Sequence, residues 1–233
     1  METDLRAGDV VRVSCPFTAT RVTGRTGSHV LIEWPWREAG LGRAECYDKV
    51  AIEADPGSSA NSPGLFRLAP AAGPLSTGDP CRVGIPPTLL HVTAIEHCDP
   101  PPESGLPSDP RRNAVLLPVG RSDDPDLEDR GYFVDLDRNA PVRFEPLFRP
   151  YERLVAGDEV ADAAGRAWRF DGPWSWSPFD GGGAGEPVWP LTLLTRDGVE
   201  DEEAAAAVAD ATRTGSHRSE LARWTALTRA EPV

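Results

Sequence analysis

One short pattern returns three times along the chain, and it restricts the possible folds more than any other feature. Leu5-Arg6-Ala7-Gly8-Asp9 comes back after about 70 residues as Leu75-Ser76-Thr77-Gly78-Asp79, and after about 79 more as Leu154-Val155-Ala156-Gly157-Asp158. Intervals of that size are too long and too uneven for a solenoid and suit small domains. The pattern has a physical sense. Gly-Asp ends a turn, glycine supplies a positive φ where one is needed, and the aspartate side chain bonds nearby backbone N–H groups. An alternating run such as Asp9-Val10-Val11-Arg12-Val13 then leads into a strand.

Other landmarks keep the same order. A strand candidate carrying an internal proline follows each opener: Val30–Trp36, Val115–Val119 and Val188–Leu194. Aromatic-led strands follow in the first two stretches, at Tyr47–Ile52 and Tyr132–Leu136, and each of these stretches closes on Leu-Phe-Arg (Leu65-Phe66-Arg67, Leu147-Phe148-Arg149). Ala19–Val22 and Val30–Trp34 flank a connection at Thr23–His29 whose Gly24 and Gly27 suit a hairpin. With 24 prolines and 22 glycines, roughly a fifth of the chain, long helices are excluded and short strands with irregular loops are favoured.

Short strands opened by Gly-Asp-x-Val and containing a bent hairpin resemble SH3-like barrels of the Tudor and KOW kind. The resemblance is topological and spans about 195 residues; Pro80 after the second Asp and a long loop in the second stretch depart from it. It implies a mainly β fold of three tandem SH3-like small barrel modules with a C-terminal α-helical hairpin. The modules are expected at 1–72, at 73–152 with long acidic and proline-rich loops, and at 153–198, which is rich in tryptophan, followed by a helical hairpin at 199–233 packed on the third module. In that last segment Asp197-Gly198-Val199-Glu200 resembles a capping box, a helix runs to about Ala211, and Ser216 caps a second helix with Leu221, Trp224 and Leu227 as its apolar stripe.

The net charge is −13, and it is unevenly placed: residues 1–72 carry 9 acids and 8 bases, while 73–152 and 153–233 each carry 14 and 8. Such a balance weighs against nucleic acid and anionic membranes as partners, and the arginines form no basic stripe. The near-neutral first stretch, with Arg6, Arg12, Arg21, Arg25, Arg37 and Arg43, is the part in which nucleic-acid association stays open. No run of about 18 apolar residues is present, and Met1–Val13 has no signal-peptide core. Four cysteines without a Cys-x-x-Cys pair fit free thiols in a reducing cytoplasm.

Tryptophan is the most concentrated chemical feature. Trp34 and Trp36 flank Pro35, and Trp174, Trp176 and Trp189 lie in the third stretch. If Trp174-Ser175-Trp176 is extended, its indoles share a strand face; together with Asp171 and Asp180 they would suit a cation, a sugar or a proline-rich peptide, whereas the plainer reading is that they fill small cores. Asp123, Asp124, Asp126 and Asp129 form an acidic loop that resembles a Ca²⁺ loop in spacing but lacks its glycine and closing glutamate. Cys81, His91, His97 and Cys98 lack the paired-ligand turns of a zinc site. No nucleophile–base motif or phosphate loop is present. The expectation is a non-enzymatic protein-interaction or scaffolding protein without metal or cofactor, binding another protein, a basic one in particular, through the Trp-bearing face and the acidic stretch. An acidic inhibitor of a basic enzyme, a nucleic-acid-associated module and a small-ligand or cryptic catalytic domain are the alternatives.

Overall fold

A computed structural model describes residues 4–27, 29–36, 49–53, 65–71, 75–97, 112–118, 131–136, 141–183 and 185–228. The fold is mainly β with a helical C-terminal part. The strands are β1 (Val10–Thr26), β2 (His29–Glu33), β3 (Lys49–Glu53), β4 (Arg67–Ala69), β5 (Pro80–His97), β6 (Arg112–Pro118), β7 (Tyr132–Asp135), β8 (Arg143–Phe148), β9 (Glu159–Ala161), β10 (Ala167–Gly172), β11 (Ser175–Pro178) and β12 (Thr192–Thr195). Two helices follow, α1 (Glu202–Ala211) and α2 (His217–Thr228). The chain divides into two compact units: unit 1 is Met1–Leu5 with Val11–Pro146, and unit 2 is Arg6–Val10 with Leu147–Val233. Among the described residues no helix is long and apolar enough to cross a membrane.

The recurring opener has the same local structure each time. Asp9, Asp79 and Asp158 donate their backbone N–H to the carbonyl three residues back (3.1, 3.0 and 2.9 Å). Their side chains accept from the N–H of that same residue, Arg6, Ser76 or Val155, at 3.0, 2.8 and 2.9 Å. The glycine holds φ of +89°, +95° or +99°, which places it at the third position of a type II turn. The leading leucines are buried, Leu5 and Leu75 in unit 1 and Leu154 in unit 2.

Unit 1 is one curled sheet in the order β3-β2-β1-β5-β6-β7, with β4 pairing to β5 and β8 to β1. The two long strands sit at its centre, and the closing strand of each stretch pairs with the opening strand of the other. The cores follow this exchange. One gathers Val22 from the second half of β1, Val30, Ile32 and Ile52, together with Leu75, Cys81 and Val83 from the second opener and the first half of β5. The other gathers Leu5, Val11, Val13 and Cys15 with Ile85, Leu90, Val92, Ala114, Leu116 and Val134. β-bulges fall at matching places, between Val22 and Gly24 and between Val92 and Ala94. The first hairpin is tighter than its sequence suggests: Thr26 pairs with His29, and Gly24 lies at the bulge rather than in the connection. β1 and β5 approach closely at Gly84, where a Cβ would lie 2.8 Å from the Cys15 carbonyl oxygen and 2.9 Å from the Phe17 Cα.

Unit 2 holds a four-stranded sheet, β11-β10-β9-β12. Here the chain does not run straight after the opener. It turns at Asp162–Gly165, so that β10 comes back antiparallel to β9, with Trp168 opposite Val160. The opener still finds an equivalent partner: Gly157 N–H donates to Phe170 O and Phe170 N–H to Asp158 O, as Gly78 N–H donates to Val22 O and Val22 N–H to Asp79 O. Phe170, like Val22, sits at a β-bulge.

The first helix begins differently from the sequence expectation. Asp197 and Gly198 both have positive φ (52° and 75°) and form a tight hairpin turn bridged by Arg196 and Val199, as Asp-Gly pairs favour. The N-cap of α1 is Asp201, whose Oδ1 accepts from Ala204 N–H at 2.9 Å, with Glu202 and Glu203 in the first turn. Asp201→Ala is therefore expected to lower the stability of the full chain by about 1 kcal/mol in urea denaturation, with the loss concentrated in α1. Ala204 and Val208 of α1 are buried in the core of unit 2 beside Leu191 and Leu193, and Thr212 Oγ accepts from Leu191 N–H at 2.9 Å, so α1 covers the outer strand β12. α2 is capped reciprocally by Ser216 and Ser219, each donating its N–H to the other's Oγ (2.8 and 3.1 Å). Of the expected stripe, Trp224 faces inward and Leu227 is half-buried, whereas Leu221 is exposed; the buried residues of α2 are His217 and Thr228.

Candidate functional site

The aromatic residues of unit 2 converge on Tyr151, which lies in the turn before the third opener. Around its ring stand Phe170, Trp174 and Trp176, each at 5.5 Å between centroids, with His217 at 5.8 Å and Trp189 at 6.2 Å. The Tyr151 hydroxyl hydrogen-bonds His217 Nδ1, and His217 Nε2 faces Glu186 Oε1 at 3.4 Å. Burial pushes the Tyr151 hydroxyl well above its ordinary value, against the opposing effect of the Trp176 indole N–H, and the negative charges of Glu220 and Glu186 push it further up. Burial also lowers the His217 imidazole below its ordinary 6.5, more than Glu186 raises it. At neutral pH both groups are uncharged. The phenol O–H donates to Nδ1, which leaves the imidazole proton on Nε2 toward Glu186.

Two of these aromatics stand on strained backbone. Tyr151 has φ 51° and Trp174 has φ 68°. Trp174 occupies, with Pro173, the two-residue turn between Gly172 and Ser175 that joins β10 to β11. Proline suits the first position of such a turn, but the second calls for glycine, and a side chain there costs about 1–2 kcal/mol. The ring is held by edge contacts to Tyr151, to His217 at 5.8 Å and to Trp224 at 5.7 Å, while remaining partly exposed. Trp224 in turn donates its indole N–H to Gly8 O at 2.9 Å.

Below the cluster lies a structural layer. Trp168 is buried and donates its indole N–H to Asp162 Oδ2 at 3.1 Å. Asp162 also accepts from Ala164, Arg166 and Val188 N–H groups, and although its burial raises its pKa, these hydrogen bonds together hold it below the ordinary carboxylate value. Arg166 lies over the Trp168 ring at 4.3 Å and grips Asp180 through two 2.8 Å hydrogen bonds. The opener aspartates are clamped in the same unit: Arg149 forks onto Asp9 (2.9 and 2.8 Å) and Arg196 onto Asp158 (2.9 and 2.7 Å).

The structure distributes the sequence candidates over two places. Trp34 and Trp36 lie in unit 1, edge-on to each other at 4.8 Å, and Phe66 completes the group at 5.1 and 5.8 Å. Trp174, Trp176 and Trp189 lie together in unit 2. Trp174 and Trp176 do not share an extended strand face, because Trp174 is in the turn and β11 begins only at Ser175; they meet instead through Tyr151. Asp171 and Asp180, named as anchors for a cation, are occupied from within, Asp171 by Arg169 and Ser177 and Asp180 by Arg166 and Gly182 N–H. Asp123, Asp124, Asp126 and Asp129 lie outside the described residues, as does Cys98 of the zinc set.

Sequence reasoning passed over Tyr151, Glu186 and His217. His217 was legible only as a neighbour of the Ser216 cap; that it is buried follows from packing, not from any local pattern. Among the described residues no three His, Cys, Asp or Glu side chains come together as metal ligands. Burial pushes the Cys15 thiol up to about 11 and raises that of Cys81, so neither is a thiolate at neutral pH. The arrangement thus offers aromatic surface and one uncharged Tyr151–His217 pair with the Glu186 carboxylate beside it. No protein-family model matches this sequence, and neither the curated proteins nor the solved structures contain a match to it.

Proposed function

We propose that the protein is a non-enzymatic interaction protein whose partner, another protein chain, is recognised by the Trp174-bearing face of unit 2. The observation that carries this reading is the strained tryptophan at the β10–β11 turn. Glycine fits this backbone conformation better than an indole whose contacts are at ring edges, and backbone strain of this kind collects where a side chain has a task besides holding the fold. Trp174 is partly exposed, and Phe179 and Val188 of the same unit are 56% and 54% exposed. Tryptophan is the residue most enriched among binding hot spots. The net charge of −13 favours a basic partner.

The finer architecture belongs to the same proposal. Residues 1–152 are two SH3-like barrels that exchange strands through β1 and β5, and unit 2 carries a third barrel in unexchanged form. The reciprocal pairing of β4 with β5 and β8 with β1, the matching bulges and the turn at Asp162–Gly165 support this.

Affinity capture with the full chain, in wild-type form and as Trp174→Gly, tests the function. One stoichiometric protein partner is expected on the wild type and its loss on the variant, with the thermal midpoint of the variant close to that of the wild type. Capture of nucleic acid alone, or a partner retained undiminished by Trp174→Gly, would contradict the reading.

A further inference from the structure

We propose that helix α2 is an acid-sensitive latch: it is docked on the aromatic cluster through a neutral His217, and protonation of that imidazole releases it while the sheet of unit 2 stays folded. The inference is independent of what unit 2 binds.

The attachment of α2 is small and polar. Of its twelve residues only His217 and Thr228 are buried, and Leu221, the residue a purely apolar attachment would use, is exposed. The helix is held by Trp224, through its Gly8 hydrogen bond and its edge contact with Trp174, by Arg223, which lies over the Phe148 ring at 4.7 Å, and by His217, through Tyr151. α1 is anchored differently, by Ala204 and Val208 in the core, and needs no titratable group.

The hydrogen-bond pattern around His217 admits one charge state. Nδ1 accepts from the Tyr151 hydroxyl and Nε2 carries the proton toward Glu186. A second proton on Nδ1 would oblige the Tyr151 oxygen to accept, and the hydroxyl's own hydrogen would lose its partner. His217 is also the first residue of α2, where the helix dipole opposes a cation. The charged groups facing this position are Glu186 on the segment before β12 and Glu220 one turn along α2, with Tyr151 neutral in the turn before β9. Among the described residues Glu186 is the charged group that approaches the imidazole, at 3.4 Å, and its side chain is 61% exposed, so solvent weakens its pull.

The sign follows from linkage. The docked imidazole titrates below 6.5 and the released one near it, so docking is at full strength above about pH 6.5 and weakens as pH falls below that, by up to tenfold per pH unit.

Amide hydrogen exchange on the full chain between about pH 7.5 and about pH 5 decides the matter, read as protection factors so that the intrinsic pH dependence of exchange drops out. Protection of the α2 amides is expected to fall severalfold while β9, β10, β11 and β12 keep theirs. In His217→Asn, whose side-chain oxygen can accept from Tyr151 but does not titrate, the fall is expected to disappear. The wild-type series suffices if that variant folds poorly. Flat α2 protection, or sheet amides that lose protection together with α2, would overturn the latch, as would a pH dependence that persists in a folded His217→Asn.

Discussion

Replacing Arg149 by methionine is expected to destabilise unit 2 by about 3–5 kcal/mol. Asp9 is 0% exposed and meets the Arg149 guanidinium through two hydrogen bonds of 2.9 and 2.8 Å. Its Oδ2 also closes the first opener turn by accepting from Arg6 N–H. Removing the arginine leaves a buried carboxylate with one backbone N–H as its remaining donor in the turn. A carboxylate buried without its counter-charge is costly. The double variant Asp9→Asn, Arg149→Met is expected to recover much of the loss, because a neutral side chain needs no counter-charge. Urea denaturation of wild type, single and double variants, followed by tryptophan emission, measures both steps. A single variant within 1 kcal/mol of wild type would show that the pair contributes little beyond its desolvation cost.

Gly84→Ala is expected to cost unit 1 about 3 kcal/mol, although alanine is ordinarily the mildest of replacements. The position needs no unusual backbone conformation. What excludes a methyl group is the neighbouring strand: the added carbon would stand 2.8 Å from Cys15 O and 2.9 Å from both the Cα and the Cγ of Phe17. Two of those atoms are backbone, and Arg82 ties the same stretch by donating from Nε and Nη2 to Phe17 O. The strands cannot separate without losing these bonds. Gly78 and Gly157 provide the contrast, since nothing lies within 4 Å of a Cβ at either and alanine there meets only the strain of a positive φ. The expected order of thermal stability is therefore Gly84→Ala lowest, with Gly78→Ala and Gly157→Ala above it.

The openers were legible because their structure is local. A glycine of positive φ, an aspartate that folds back onto the N–H three residues earlier and a leucine ahead of both are properties of five consecutive residues. Strand exchange is not local. Whether the chain turns back after an opener or runs on depends on the next few residues, Asp162-Ala163-Ala164-Gly165 in one case, Cys15-Pro16 and Ile85-Pro86-Pro87 in the others. The first has an aspartate that caps its own turn by accepting from Ala164 N–H, whereas the prolines favour extended backbone. That difference was on the page, but which strand each long strand would pair with was not.

The candidate site was half legible for a similar reason. The tryptophans announced aromatic surface, yet their grouping around Tyr151 required the turn before the third opener and the first residue of α2 to meet. Trp174 broke the rule that led to its placement: two aromatic residues one apart read as a shared strand face, but the hairpin turn holds Trp174 itself and leaves Trp176 on β11. Ahead of α1, Asp197-Gly198-Val199-Glu200 reads as a capping box, and the bridge between Arg196 and Val199 makes Asp197-Gly198 a turn instead.

The central claim is that Trp174 is kept for a partner and not for the fold, and calorimetric titration of the captured partner into wild type and Trp174→Gly tests it most directly. Glycine relieves the φ of 68° and removes the indole together, so stability and binding are expected to part company. The account predicts a loss of affinity of about thirtyfold or more, the mark of a hot-spot residue, with the variant still folded. An affinity within about threefold of wild type would contradict it and return Trp174 to the role of a packing residue.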